Sequence, residues 1–509
     1  MTQAWNKLYY RGSFVRNIFE VTTDPSGEWV ARSPADPLDE IAKITYSYRQ
    51  IENAVASARE ASQTWKKTDS ATRGNYLSKL KTALEARHEA LVQVISRETG
   101  KPLWESETEF ESMLGKVKFA LDDANRAPKE IALSVSDGDI AGVTRYRPLG
   151  VLAVITPFNF PGSVALGHIV PAITSGNTVV LKPSEKTPFV GQVIAECFEE
   201  AGFPPGVFNL VQGEREVGRR LCAHPDVAGV LFSGSFEVGT RIKQETLQQH
   251  WKLLVLQLGG KNSAIVWEDA DLEYAIQETL VGAFITAGQR CTATSRIIVH
   301  KNLLDQFLSR FHQRAKTFTI GHPLNQPFMG PMIDQGAVDR YMKFIGIATR
   351  EKCEVIMRGK SIEVEGVKGS GANYVTPSIC MVSENSVEAA LKSVYQQTEI
   401  FGPNAAILTT DNLDHALALA NATQYGLVSS VFTRSRSVFE KCVSELETGL
   451  INWNRSTVGG SSKLPFGGLK KSGNHYATAL FSAMYCMIPV TSIEIPEPPA
   501  TLKKYPGLD

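Results

Sequence analysis

The chain is expected to be an α/β protein built from two doubly wound domains, and three features of its 509 residues lead there. Its length exceeds what one ordinary core spans, so two or three domains are required. From residue 145 onward, short β-branched runs alternate with amphipathic stretches of helical length, the pattern of parallel strands joined by crossover helices. A Gly-rich join at Leu256-Gln257-Leu258-Gly259-Gly260 separates two such series, and a cleft between them is where a ligand would enter.

Taken in order, residues 50–99 read as helices. Leu77, Leu80, Leu84, Leu91 and Ile95 recur at helical spacing, and Gly100 is a C-terminal stop. Residues 151–155 form the first buried strand. A helix over 163–174, a strand over 178–181, a helix over 188–201 and strands over 206–211 and 228–232 follow. The second series runs from a strand over 262–266 through a long helix over 271–287 to a strand over 296–299. A helix over 303–317, a strand over 405–408 and a helix over 413–421 complete it. Residues 485–493 read as an extended strand with no obvious partner in its own domain, before a Pro-rich end.

Bulk composition excludes several function classes. Lys+Arg and Asp+Glu both total 53, so the zero net charge argues against nucleic acid or an anionic membrane surface as partner. No apolar run approaches the roughly 18 residues of a membrane span, and the start lacks a signal-peptide pattern. Seven scattered cysteines without a Cys-x-x-Cys pair fit reduced thiols in a cytoplasm. Neither His-Glu-x-x-His nor a Cys/His cluster occurs, so no metal site is expected.

Candidate chemistry starts at Cys291, which follows Gly288-Gln289-Arg290 at the end of an apolar run. A nearby cation favours the thiolate, so its pKa is expected to be lowered. Upstream, Asn159 offers an amide that could stabilise an oxyanion. Residues 232–239 follow a strand and open a helix. There Gly234, Ser235 and Gly239 could let backbone N–H groups approach a phosphate, although a plain turn fits the same residues. Lys182-Pro183-Ser184-Glu185 ends another strand, where Glu185 could hold ribose hydroxyls or belong to a solvated turn. Glu399-Ile400-Phe401-Gly402-Pro403 sets an acid beside a ring, or is a loop with a core Phe.

These segments, with Phe158-Asn159, Leu258-Gly259-Gly260-Lys261 and Pro465-Phe466-Gly467-Gly468, resemble the motifs of the aldehyde dehydrogenase superfamily, in the family's order. The resemblance runs from about residue 40 to 490. It implies the aldehyde dehydrogenase-like fold, two doubly wound α/β domains plus a small β oligomerisation arm. Residues 1–124 and 146–259 would form the NAD-binding domain, 260–459 the catalytic domain, and 125–145 with 475–495 the arm of a homodimer or dimer of dimers. It also implies oxidation of a small-molecule aldehyde through a Cys291 thioester, with Asn159 and the Cys291 N–H at the oxyanion. NAD would be held by Thr156, Lys182, Ser184 and Glu185, by Gly234, Ser235 and Gly239, and by Glu399 and Phe401. NAD is expected over NADP, because Glu185 would face a 2′-phosphate.

Within the family, residues 167–172, 286–292, 451–454, 472–475, 499–502 and 506–509 are most similar to the branch acting on N-succinylglutamate 5-semialdehyde in arginine catabolism. The pyrroline-5-carboxylate branch is close behind. The substrate would then be a carboxylate-bearing semialdehyde, its far end met by Arg455, Gly460 and Ser461.

One departure matters as much as the match. Where the family carries a catalytic Glu, this chain has Gln257, which has no proton-accepting group at neutral pH. A second family acid falls at Ala477, and His168 replaces a common Lys. Four readings stay open: a slow dehydrogenase, a base rerouted through His168, thioester transfer to an acceptor such as coenzyme A, or an engineered trap. A catalytically silent NAD-binding protein is the reading from outside enzymology. Gln257 favours it, whereas Cys291, Asn159 and Glu399 oppose it.

Overall fold

Four apolar runs, Val151–Ile155, Thr178–Lys182, Phe208–Leu210 and Gly229–Ser233, are buried at every residue. Strands covered on both faces are continuous in hydrophobicity rather than alternating, and these form the parallel centre of the first sheet. With Leu253–Gln257 at one edge they are ordered 253–257, 229–233, 151–155, 178–182, 208–210. The far edge is antiparallel, made by Ser13–Val15 and Ile18–Glu20. That hairpin escapes a periodicity reading because each strand has three residues. Its turn is carried by Arg16 and Asn17, with φ of 54° and 62°, the left-handed pair that a two-residue hairpin loop needs. The computed structural model describes residues 5–122, 130–134, 141–367, 373–495 and 505–508.

Four helices, Arg49–Trp65, Ser70–Ala86, His88–Thr99 and Leu103–Leu121, occupy the region read as helical and just beyond it. They do more than cover the sheet. Glu98 accepts hydrogen bonds from the N–H groups of Phe189 and Val190, both at 2.9 Å, and so caps helix Pro188–Glu200 from a distance. Glu109 does the same for helix Pro161–Thr174, taking Gly162 N–H at 2.9 Å and Ser163 N–H at 3.1 Å. Helix N-termini attract anions, so these two are already neutralised by the protein's own carboxylates. Helix Phe236–Glu245 has only Ser235 as its cap, from a 3.3 Å bond to Val238 N–H.

The second sheet is ordered 354–357, 378–381, 404–410, 294–300, 262–266, 428–432, 450–453 and is parallel except for Glu354–Met357. Arg296 is buried in it, its guanidinium donating to the carbonyls of Leu419 (2.7 Å) and Ala420 (2.6 Å). Helix Leu272–Phe284 stops short of the expected 287. Thr286, Ala287 and Gly288 instead take φ of 59°, 52° and 67°, a left-handed turn that costs energy for the two non-glycine residues. Returning from this domain, residues 472–474 close the open edge of the first sheet. Asn474 accepts from Leu256 N–H at 2.7 Å and donates to Leu254 O at 3.0 Å, while Leu258 N–H reaches Ser472 O at 3.0 Å.

The strand near 485–493 does find a partner. Met487–Glu494 pairs antiparallel with Ala141–Pro148 over its whole length, and Ile131–Ser134 adds a third strand. Among the described residues Met487–Glu494 is paired on one side only. Residues 125–129 and 135–140 of the expected arm, and residues 499–502, lie outside the described residues. Among the described residues no helix is long and apolar enough to cross a membrane, and no His/Cys/Asp/Glu group could hold a metal ion.

Lys101 and Glu109 form a buried ion pair. Glu109→Ala leaves that ammonium unpaired and two helix N–H groups uncapped, so a stability loss of about 3–5 kcal/mol is expected. Scanning calorimetry checks this, and an unchanged melting temperature would remove Glu109 from its structural role.

Candidate active site

The two sheets meet where Leu253–Gln257 ends and Asn262–Val266 begins. The linking glycines have no room for a side chain. A Cβ on Gly259 would stand 2.0 Å from Glu399 Oε2, and one on Gly260 would stand 2.5 Å from the Cys291 carbonyl. This contact puts an acid and the cysteine loop against the end of the first sheet. Glu399 Oε1 accepts Gly260 N–H at 2.9 Å, and Asn262 Nδ2 donates to the carbonyls of Cys291 (2.7 Å) and Ala293 (2.9 Å).

Cys291 is half-buried, whereas the other six cysteines are buried. Its loop is held from both sides. Gln289 Oε1 accepts Ile333 N–H at 2.9 Å, and Asn159 Nδ2 donates to the Gln289 carbonyl at 2.8 Å. Asn159 is therefore two residues from the thiol in hydrogen-bonding terms, with one amide hydrogen used. The expectation of a lowered thiol pKa is overturned. Burial, and then the Glu399 charge, push Cys291 up to about 12. Arg290 opposes this only weakly because its guanidinium is committed elsewhere, to Glu105 at 2.9 Å and to Thr286 Oγ1 at 2.6 Å. Glu105, on helix Leu103–Leu121, carried no signal in the sequence; only the fold brings it to the cysteine loop.

Gln257 Oε1 accepts from Ser233 Oγ at 3.0 Å, and Ser233 Oγ lies 2.9 Å from His168 Nε2. With the single serine proton given to the amide, His168 donates from Nε2 and its buried Nδ1 has no partner. Burial, and then Lys116, lower His168 to about 3. So weakly basic a ring does not take a proton from water near neutrality, and the idea of His168 as a base is set aside in favour of a neutral hydrogen-bond support. Ala477 is buried in the core and supplies no acid.

The expected cofactor residues surround the same sheet end. Lys182 is buried, its ammonium 3.5 Å from Glu185, and Trp29 Nε1 donates to the Glu185 carbonyl at 3.1 Å. Ser184 Oγ accepts Lys186 N–H at 3.2 Å, which makes it a turn residue first. Gly234 N–H bonds the Gln257 carbonyl at 3.0 Å, and a Cβ on Gly239 would stand 2.8 Å from Leu258. Glu399 and Phe401 line a narrow cavity with Gly260, Lys261 and Arg290. Phe401 meets Phe158 edge-on at 5.9 Å. Two buried polar atoms here lack partners among the described residues, Thr156 Oγ1 and Lys261 Nζ. At the far side Arg455, Gly460 and Ser461 are exposed.

Residues 23–491 match the model of the aldehyde dehydrogenase family. The chain belongs to the aldehyde dehydrogenase family. Among curated relatives it is 38% identical over 463 residues to N-succinylglutamate 5-semialdehyde dehydrogenase of Enterobacter sp. (strain 638), covering 90% of each chain. It is 36% identical to the protein of that name from Escherichia coli (strain K12), covering 90% of this chain and 91% of that one. Among solved structures it is similar to an NAD-dependent aldehyde dehydrogenase from Sinorhizobium meliloti, with a TM-score of 0.90 and 28% identity, covering 96% and 95% of the two chains. A 1-pyrroline-5-carboxylate dehydrogenase from Thermus with bound NAD gives 0.87 and 29%, covering 95% and 92%. This aldehyde dehydrogenase is an oxidoreductase with the family fold.

A thiol raised to about 12 from its ordinary 9 is protonated at neutral pH. Only the thiolate alkylates, so at pH 8 the thiolate fraction of Cys291 is about a thousandfold below that of an unperturbed thiol. Timed iodoacetamide labelling with peptide mass spectrometry should show slow modification of Cys291 that rises with each pH step beyond 9. Fast labelling at pH 7 would contradict the burial argument.

Proposed function

We propose that this chain is an NAD-dependent dehydrogenase of a carboxylate-bearing semialdehyde of the N-succinylglutamate 5-semialdehyde kind, working through a Cys291 thioester with slow release. The observation that carries the reading is the approach of Glu399 and the Cys291 carbonyl to the Gly259–Gly260 junction, with Asn159 holding the cysteine loop through the Gln289 carbonyl.

Cys291 gives its proton to solvent water and its thiolate sulfur attacks the aldehyde carbon, forming the C–S bond as the carbonyl π pair moves to oxygen to give a tetrahedral thiohemiacetal. Its oxyanion is met by the second amide hydrogen of Asn159 and by the Cys291 N–H, donors of a kind each contributing about 10²–10³ in rate. NAD, when bound, supplies the hydride acceptor. The residues present fit it. Glu399 offers a carboxylate for ribose hydroxyls, Lys182 and Glu185 do so at the other end, and the helix opening at Ser235 is free of an internal carboxylate cap. The partnerless Thr156 hydroxyl and Lys261 ammonium await polar groups of a ligand. Hydrolysis then requires a base, and Gln257 can only orient water by hydrogen bonding.

We also assign the three-stranded arm to self-association. Among the described residues Met487–Glu494 is paired on one side only, with Ile488 and Ile493 exposed, and an unpaired edge strand invites a symmetric partner such as a homodimer or dimer of dimers. A second reading, transfer of the acyl group to a thiol such as coenzyme A, is favoured by the absence of a carboxylate at both 257 and 477.

Rapid mixing with NAD and a semialdehyde should give one equivalent of NADH per site, followed by slow turnover. Gln257→Glu restores a base, so the steady rate should rise by up to about 10²–10⁴ and the burst should shrink relative to turnover. Native protein that turns over fast without a burst would overturn the slow-release reading. Coenzyme A that accelerates turnover of the native protein would favour acyl transfer.

For the cofactor, Glu185→Gln removes the charge facing a 2′-phosphate and should narrow the preference for NAD over NADP. Calorimetric titration of both proteins measures it, and tighter NADP binding by the native chain would remove Glu185 from this role.

A further inference from the structure

Beside helix Pro161–Thr174 lies a small cavity of about 40 Å³, lined by Lys116, Phe119, Leu166, Gly167, Ser462 and Ala479 among others. Apart from Lys116 its walls are apolar or carry hydroxyls. Lys116 is on helix Leu103–Leu121, half-buried, and no ion pair or hydrogen bond of its ammonium is formed among the described residues. Its nearest carboxylate, Glu109, is saturated: Oε2 pairs with Lys101 and Oε1 takes two helix N–H groups. Burial without a committed counterion pushes Lys116 down to about 8. Lys116 is the one charged side chain lining this cavity, so an anion entering there would meet an ammonium with no committed counterion among the described residues.

Gly167 makes the space. It sits inside a helix, where glycine is less favourable than alanine. A Cβ there would stand 3.2 Å from Lys116 Cε and 3.6 Å from Thr478 Cγ2, so the bare position lets the lysine stem lie across the helix. The next residue, His168, begins the hydrogen-bonded chain through Ser233 to Gln257, which ties the cavity to the catalytic junction. Asn159 stands just ahead of the same helix, and six residues separate Pro161 from Gly167, about 9 Å along the axis. An extended linear chain of about eight bonds reaches on the order of 10 Å.

We propose that Lys116 recognises the distal carboxylate of the substrate, selecting aldehydes that carry an anion about 10 Å from the carbonyl carbon. This rests on the semialdehyde reading above and names the group that would enforce it. Ser462, from the Gly-rich loop that also holds Gly460 and Ser461, supplies a hydroxyl to the same cavity.

The test uses the full chain and two aldehydes of equal length, 9-oxononanoate and nonanal, which differ in one terminal carboxylate. First-turnover NADH formation at varied aldehyde concentration gives kcat/KM even where thioester release is slow. Native protein should prefer the acid at least tenfold. Lys116→Met should collapse that ratio toward one through a higher KM for the acid, and Lys116→Arg should retain most of it. A native preference that survives Lys116→Met overturns the assignment of Lys116 and leaves the semialdehyde reading standing. A native protein with no preference for the acid overturns that reading, and the lysine's role with it. Each variant's rate with nonanal shows that the protein is folded, so a low ratio is not mistaken for misfolding.

Discussion

Two missing methyl groups organise this molecule. At Gly259 and Gly260 the backbone comes so close to the Glu399 carboxyl and to the Cys291 carbonyl that any side chain would displace the acid or the cysteine loop. The junction acts as a fixed spacer between domains with separate cores. One residue earlier, Gln257 belongs to the first sheet; two residues later, Asn262 belongs to the second and holds the cysteine loop by two carbonyls. Catalytic geometry of this kind depends on rigid elements rather than on the loops that carry the reactive atoms.

Charge placement follows a related logic. The helical block sends Glu98 and Glu109 into the first domain, where each closes a crossover helix. Burial pushes Glu98 up to about 8, and the two helix N–H groups that it accepts work in the opposite direction by favouring the carboxylate. Glu105, on the same helix as Glu109, takes Arg290 instead and removes a cation from the thiol. One surface of one helix thus caps a neighbour and anchors the cysteine loop through Arg290.

Much of this was legible in the residues. Strands buried on both faces announce themselves as unbroken apolar runs, and the crossover helices between them are long enough to show their period. The junction was legible as paired glycines. The three-residue strands at 13–20 were not, since so short a segment has no measurable period, and neither was the partner of 487–494, a pairing across more than 300 positions of chain. The thiol was misread for a physical reason. Adjacency of Arg290 to Cys291 in the sequence says nothing of where the guanidinium points, and burial outweighs a cation already spent on Glu105. Similarly, His168 reads as titratable until its complete burial is seen.

The protonated state of Cys291 has a bearing on survival as well as on reaction. Peroxide attacks thiolates, and the damage ladder from sulfenic to sulfonic acid begins only there. Six cysteines are shielded by packing, and the half-buried seventh, Cys291, carries a thiol that burial keeps protonated. In this state the chain offers an oxidant little thiolate to attack.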